Sequence, residues 1–353
     1  MNAPAGFHKV RIRTADLEDD ILCAQIDDFV RCRSDSTPFH LTGWSRAVAK
    51  GANVAAHYLI AEGPAGLVAV LPCQVLKSRL FGDAIVSTAF GVSGGFLGDW
   101  PKIADQMMTL GIIARCPVLE LRGGPIPRTG WNVDSSRHVT CSRALPEDAD
   151  DILATLPRKR RANVRKSLGA GLNVTIGRSE EDLRAHYRVY SEAMRNLGTP
   201  VFPKELFREV LQAFGPDADI VTVRQGDVPV SSVFSLYHQG KAIPYWGGGT
   251  RKARALCAND LMYFTLMRHA VANKGCHVFD FGRSKSGSAH AAYKESFGCL
   301  STPLAYARRV IRKGPIRNTD PDSPRYQFAA RLWRHLPLPL AQLMGPFISK
   351  GLG

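Results

Sequence analysis

The second half of this chain repeats the order of elements found in the first, and that duplication limits the fold more than any other feature. In the second half, "PKELFREVLQAF" (203–214) carries Leu206, Phe207, Val210, Leu211 and Phe214 at the spacing of one helical face. "DIVTVRQGDVPVSSVFSLYHQGKAIPYWGGG" follows, three β-rich segments broken at Gly226-Asp227 and Gly240-Lys241. Next comes "NDLMYFTLMRHAVANKG", a helix with Asn259 as its expected cap and Gly275 as its stop, and "CHVFDFG" returns as a strand. The first half has the helix "TGWSRAVAKG", then the hairpin and glycine-ended strand of "HYLIAEGPAGLVAVLPCQVLKSRLFGDAIVSTAFGVSGG". The helix "PKIADQMMTLGIIARC" and the strand "PVLELRGG" complete it. "ARCPVLELRGG" and "NKGCHVFDFGR" match in pattern at an offset of roughly 160 residues, a domain's worth. The expectation is an α/β (α+β) protein made of two copies of one unit. Its expected divisions are 1–150, a basic junction helix at 151–171, a second unit at 172–312 and a basic, apolar tail at 313–353.

The 353 residues suffice for two domains, and 45% hydrophobic with 22% charged residues suits a globular chain rather than a disordered one. No apolar run reaches the roughly 18 residues of a spanning helix. The start, "MNAPAGFHKVRIRTADLEDD", lacks the apolar core of a secretory leader, so a cytoplasmic protein is expected. The eight cysteines include no CxxC pair and read as free, mostly buried thiols. No two histidines have ligand spacing backed by a third ligand, so no metal is expected. The 46 Lys+Arg exceed the 31 Asp+Glu and give +15, which favours a polyanionic partner: nucleic acid, anionic lipid or a phosphate-bearing substrate.

A helix, a meander of antiparallel strands and then a strand–helix–strand crossover is the order of the acetyltransferase-like (GNAT) fold, with a mixed, mostly antiparallel sheet flanked by helices. From Lys9 to Arg312 the chain also resembles the FemAB/FemX group of tandem-GNAT transferases, and within it the FemAB-like proteins of exosortase (PEP-CTERM) systems. "TPFHLTGW", "RANVRKSLGAGL", "YSEAMRNLGTPVFPKELF", "PYWGGGT", "ANDLMYFTLMRHA", "FDFGRSKSGSAHAAYKESFG" and "PLAYARR" carry the likeness. The resemblance implies transfer of an acyl or aminoacyl group to an amine of a cell-envelope or exopolysaccharide precursor. Acyl-CoA or aminoacyl-tRNA would be the co-substrate, with no tightly bound cofactor. Two departures bear on the donor. The phosphate loop R/Q-x-x-G-x-G/A is here "RKARALCAND", with alanine and cysteine in place of the glycines. The long helical arm that some members use for tRNA has no counterpart.

The candidate residues cluster around "FDFGRSKSGSAHAAYKESFG". Gly282 and Gly287 have Walker A spacing, but Ser288-Ala289 stand where its Lys-Ser/Thr belongs, which excludes a P-loop ATPase. In the family's "FK..FG" position, Lys294 is either an oxyanion-stabilising ammonium or a surface lysine. Asp280, between Phe279 and Phe281, is a general base, an orienter of Arg283 or Lys285, or a structural ion pair. Arg283, Ser284 and Lys285 are candidate substrate contacts. Tyr245 is a candidate proton donor to the leaving group, while Gly247, Gly248 and Gly249 offer backbone amides to a substrate or simply form a tight turn. Arg158, Arg161 and Arg165 lie in "PRKRRANVRKSLGAG", a solvated face or a phosphate- or tRNA-binding one. His40 and Trp44, four apart on an expected helix, pack or face the acceptor. The tail "YQFAARLWRHLPLPLAQLMGPFISKGLG" docks on the protein or makes peripheral contact with an anionic membrane. A transferase is the first reading; a non-catalytic GNAT-fold binder of a polysaccharide precursor or partner enzyme is the second, and an RNA-binding module the third.

Overall fold

Leu206, Phe207, Val210, Leu211 and Phe214 all turn inward on the helix Lys204–Phe214, as their spacing requires. The strands Ala218–Gln225, Val228–His238 and Lys241–Gly249 follow, turning at Gly226 and Gly240, both at positive φ. These elements come from a computed structural model that describes residues 10–127, 129–314, 317–319 and 323–353. Residues 1–9, which the leader reading includes, lie outside the described set.

The strands form two mixed sheets with one order. The first runs Arg11–Ala15, Ala55–Gly63, Gly66–Leu76, Ala84–Val86, Val118–Arg122, Tyr306–Val310, Asn132–Asp134. The second runs Leu172–Gly177, Ala218–Gln225, Val228–His238, Lys241–Gly249, Val278–Lys285, His138–Ala144, Leu300–Pro303. In both sheets the fourth and fifth strands are parallel and every other neighbouring pair is antiparallel. The duplication is therefore visible strand by strand.

One strand in each sheet comes from the other half. His138–Ala144 inserts between Val278–Lys285 and Leu300–Pro303, while Tyr306–Val310 inserts between Val118–Arg122 and Asn132–Asp134. The sequence gives no warning of this exchange, because a ladder joins backbone groups and the period-two pattern is the same whichever sheet a strand joins. The exchange also corrects the cysteine expectation. Cys141 and Cys299 form a disulfide across 158 residues, with Cα atoms 5.7 Å apart. Their strands are neighbours only after the exchange, so no short motif marks the pair. Cys23, Cys73, Cys116 and Cys276 are free and buried.

Two further expectations shift, while the tail takes the first of its two expected courses. The helix Ala258–Lys274 begins at Cys257 with no side-chain cap, since the carboxamide oxygen of Asn259 instead accepts from the Ser231 hydroxyl at 2.5 Å. The strand expected to end at Gly282 continues to Lys285 through a register shift between Asp280 and Arg283. The tail folds as the helices Pro324–Trp333 and Leu338–Ser349, and both dock on the second half: Ser349 donates to the Val201 carbonyl at 2.9 Å.

One hydrophobic cluster joins the halves, with Trp44 and Ile60 on one side and Phe207, Phe234 and Trp246 on the other. Trp44 and Trp246 stack with ring centroids 5.7 Å apart. Beside them the helices Thr42–Ala52 and Lys204–Phe214 meet at Gly51, where an added Cβ would lie 2.5 Å from the Leu206 Cα. Alanine gains about 1 kcal/mol of helix propensity over glycine, but the clash is with backbone and no rotamer relieves it. Gly51→Ala should therefore cost a net of about 1–3 kcal/mol, read as a lower urea midpoint. An unchanged or raised midpoint would show that the helices can part at little cost.

Candidate active site

In the second sheet the parallel strands Lys241–Gly249 and Val278–Lys285 pair only at Lys241–Val278 and Ala242–Phe279. Beyond those pairs they diverge, and a notch opens between Tyr245–Gly249 and Phe281–Lys285. The glycine triplet on one wall allows close packing behind it. An added Cβ at Gly248 would meet the Ala193 side chain at 2.6 Å, and one at Gly249 would meet the Asn259 carboxamide at 2.5 Å.

On the opposite wall, Lys294 and Asp280 hold the irregular backbone. Lys294 sits on the helix Ala289–Glu295, capped by the Ser288 hydroxyl. Its ammonium donates to the carbonyls of Phe281 (2.6 Å), Gly282 (3.2 Å) and Arg283 (2.9 Å). The Asp280 carboxylate accepts from the Thr140 hydroxyl at 3.0 Å and from the Gly282 N–H at 2.8 Å. Burial pulls the Lys294 ammonium down to about 8, with Asp280 opposing and Arg283 reinforcing that shift. An ammonium with all three N–H groups on carbonyls positions the strand end rather than waiting for an oxyanion. Asp280 is likewise engaged as a clamp.

What the clamped backbone presents is Arg283, which donates to the Tyr306 hydroxyl at 2.9 Å and lies 5.6 Å from the centre of that ring. Tyr306 comes from the exchanged strand and donates to the Val92 carbonyl at 2.8 Å. Tyr245, across the notch, donates to the Phe90 carbonyl, and burial pushes its hydroxyl well above the usual phenol range. A leaving group would have to displace that bond to use the proton. Ser284 is buried with no hydroxyl partner among the described residues, and Lys285 is exposed at the strand end.

Both walls thus reach one loop of the first half, "TAFGVSGG" at 88–95. Other side chains hold the same loop by its carbonyls: Arg122 on Thr88 (3.0 Å) and Gly91 (3.4 Å), Trp44 on Ala89 (3.1 Å), Thr37 on Ser93 (2.5 Å). The His40 ring lies 3.1 Å from the Gly95 carbonyl oxygen; burial lowers its pKa to about 4, which leaves it neutral near pH 7. His40 stands in a short turn and Trp44 in the helix after it, so they do not share the single helix expected. With the carbonyls taken, the N–H groups of Phe90, Gly91, Val92 and Ser93 have no hydrogen-bond partner among the described residues. A run of free amides beside an arginine suits an anion or a developing oxyanion. The sequence reading missed this loop, together with Arg122 and Tyr306. Its signal was the glycine spacing of "GVSGG", read there only as a strand end.

The basic run lies elsewhere. It forms the helix Arg158–Leu168, which packs on the crossover helix Ala258–Lys274 through the buried ion pair Arg160–Asp260 at 2.7 Å. Arg158 and Arg165 are exposed, while Arg161 donates to the Ala154 carbonyl at 3.0 Å. Arg251, Lys252 and Arg254 on the helix Arg251–Ala255 are exposed at the entry to the same crossover helix.

The family model described as "Acetyltransferase (GNAT) domain" matches residues 154–295, the part that builds the notch. The chain carries the GNAT fold twice. This tandem arrangement aligns with the crystal structure of FemX at a TM-score of 0.65 and 13% identity, over 91% of this chain and 100% of that one. A tandem GNAT protein from the clavulanic acid biosynthesis pathway aligns at 0.58 and 11% identity, over 87% and 100%. The structure titled L-PGS from Bacillus licheniformis aligns at 0.52 and 14%, over 89% and 97%. No curated protein sequence matches the chain. Among the described residues of this tandem GNAT chain, no cluster of His, Cys, Asp or Glu is arranged to hold a metal, and no helix is long and apolar enough to cross a membrane.

Proposed function

We propose that the protein transfers an acyl or aminoacyl group to an amine on a phosphate-bearing cell-envelope or exopolysaccharide precursor. The observation that carries this reading is the notch: parallel strands that pair at two positions and then part, closed at the mouth by an amide-rich loop of the other half. A donor carbonyl placed in the notch has backbone amides beside it, and the attacking amine adds to give a tetrahedral intermediate whose oxyanion those amides stabilise. Its collapse breaks the donor's thioester C–S or ester C–O bond, and the leaving thiol or hydroxyl takes up the proton that the amine nitrogen gives up. Arg283 faces the acceptor and suits its anionic groups. The donor's phosphates lie toward Arg158, Arg161 and Arg165, with Arg251 and Lys252 at the start of the crossover. The family's link to exosortase systems remains part of this proposal and rests on the sequence resemblance alone.

Native mass spectrometry tests the reading, with acyl-CoA and charged tRNA offered separately to the purified protein. One donor should be retained, and its binding should weaken and become less salt-dependent in the Arg158→Gln/Arg161→Gln/Arg165→Gln variant. Retention of neither donor would overturn transfer in favour of a protein that only binds a precursor. Retention unchanged in the triple variant would remove the basic helix from the donor site.

A further inference from the structure

Away from the notch, a cavity of about 880 Å3 opens where the turn at 78–83 meets the helices Pro324–Trp333 and Leu338–Ser349. Two kinds of side chain stand out in its wall. Leu80, Phe81, Pro117, Trp333 and Ile348 are apolar, whereas Arg79, Arg115, Arg312 and Lys313 are cations. None of these cations forms an ion pair or a side-chain hydrogen bond with a described residue. Asp83, the acid among the described lining residues, is already held by Lys77 at 2.9 Å and by the Ser78 N–H at 3.0 Å. Four like charges around one cavity repel each other until an anion enters. Trp333 adds a further donor: it is 8% exposed, and its indole N–H has no partner among the described residues.

The helices beside the cavity also carry apolar side chains outward. The two helices bury Ala330, Ala341 and Gly345 against the protein, yet their outer faces carry Phe328, Leu332, Leu343 and Phe347, the last 81% exposed. Leu80, on the turn that forms the opposite wall, is 71% exposed. Apolar side chains that stand outward around unpaired cations complement a surface that is anionic at its face and apolar beneath.

We infer that this cavity seats the phosphate-bearing head of an anionic lipid at a bilayer surface. Arg79, Arg115, Arg312 and Lys313 surround the phosphate, and Leu332, Leu343 and Phe347 enter among the acyl chains. The inference is independent of the transfer reading, because none of the residues that line the cavity belongs to the notch.

Co-sedimentation with vesicles tests it on the whole chain. The protein should pellet with vesicles containing phosphatidylglycerol and stay in solution with phosphatidylcholine alone. Arg115→Gln/Arg312→Gln/Lys313→Gln should weaken binding at least about tenfold, and Leu343→Ser/Phe347→Ser, on exposed positions, should weaken it as well. Lys159→Gln/Lys166→Gln/Arg184→Gln removes the same charge from exposed positions elsewhere and should bind as wild type. Equal losses in the two charge variants would reduce the effect to the general +15 of the chain and overturn the site. Equal pelleting with phosphatidylcholine would overturn the head-group contact. Dodecyl phosphate below its micellar concentration should compete with the vesicles, and inorganic phosphate at the same ionic strength should not. Equal competition by both would reassign the cavity to free phosphate and overturn the lipid.

Discussion

Replacing Arg122 with Met should destabilise the protein by about 3–5 kcal/mol, the usual cost of breaking a buried ion pair from one side. Arg122 and Glu120 are both buried and 2.8 Å apart, and Arg308 reaches the other Glu120 oxygen at 3.3 Å. Arg308 remains in the variant, which puts the expected loss at the lower end of that range. The same guanidinium holds the Thr88, Gly91 and Gly353 carbonyls, so the 88–95 loop should loosen with it. Amide exchange in that loop should accelerate more than in the second sheet. Burial alone would raise the Glu120 carboxyl, but Arg122, Arg317 and Arg308 outweigh it and hold the group at about 2. A carboxyl lowered in this way stabilises the fold above its unfolded value near 4.5, and that contribution disappears as the pH falls from there toward 2. The acid branch of the stability curve should therefore be shallower in Arg122→Met. An acid branch and midpoint like those of the wild type would remove Arg122 from both roles.

Lys294→Met should reduce single-turnover transfer about a hundredfold, the cost of a site displaced by about 1 Å, while leaving the protein folded. The methionine keeps most of the stem's packing and loses the three bonds that fix Phe281, Gly282 and Arg283. Arg283 would then lose its aim at Tyr306. Lys294→Arg should restore little, since a planar fork does not reach three consecutive carbonyls as a compact ammonium does. The pH dependence separates this positioning role from general instability. The ammonium loses its proton near 8 in the folded protein, against about 10.5 for an unperturbed lysine, so turnover should fall as the pH passes through about 8. Between about 8 and 10.5 the unfolded chain holds more protons at this site, so its contribution to stability rises with pH over the same window. Falling turnover with rising stability is the expected signature. Turnover that rises through pH 8, or wild-type turnover in Lys294→Met, would remove Lys294 from positioning the notch.

The sequence by itself determined the repeated order, the central helices and strands that carry it, and the turn glycines between them. Those features rest on local periodicity and on turn chemistry that few residues satisfy, as at Gly226, Gly240 and Gly275. It also brought forward the segment that holds Lys294, Asp280 and Arg283, although their spacing could not show that two of them clamp the backbone that presents the third. Only the tertiary structure decided the rest. Backbone ladders are blind to side-chain pattern, so the exchange of His138–Ala144 and Tyr306–Val310, and with it the Cys141–Cys299 bridge, had no local signature. The 88–95 loop gains its chemistry from side chains as remote as Thr37, Arg122, Tyr245 and Tyr306, which meet only when both halves fold. An amide acts as a donor site when tertiary contacts occupy its neighbouring carbonyls, and residue order alone does not encode that.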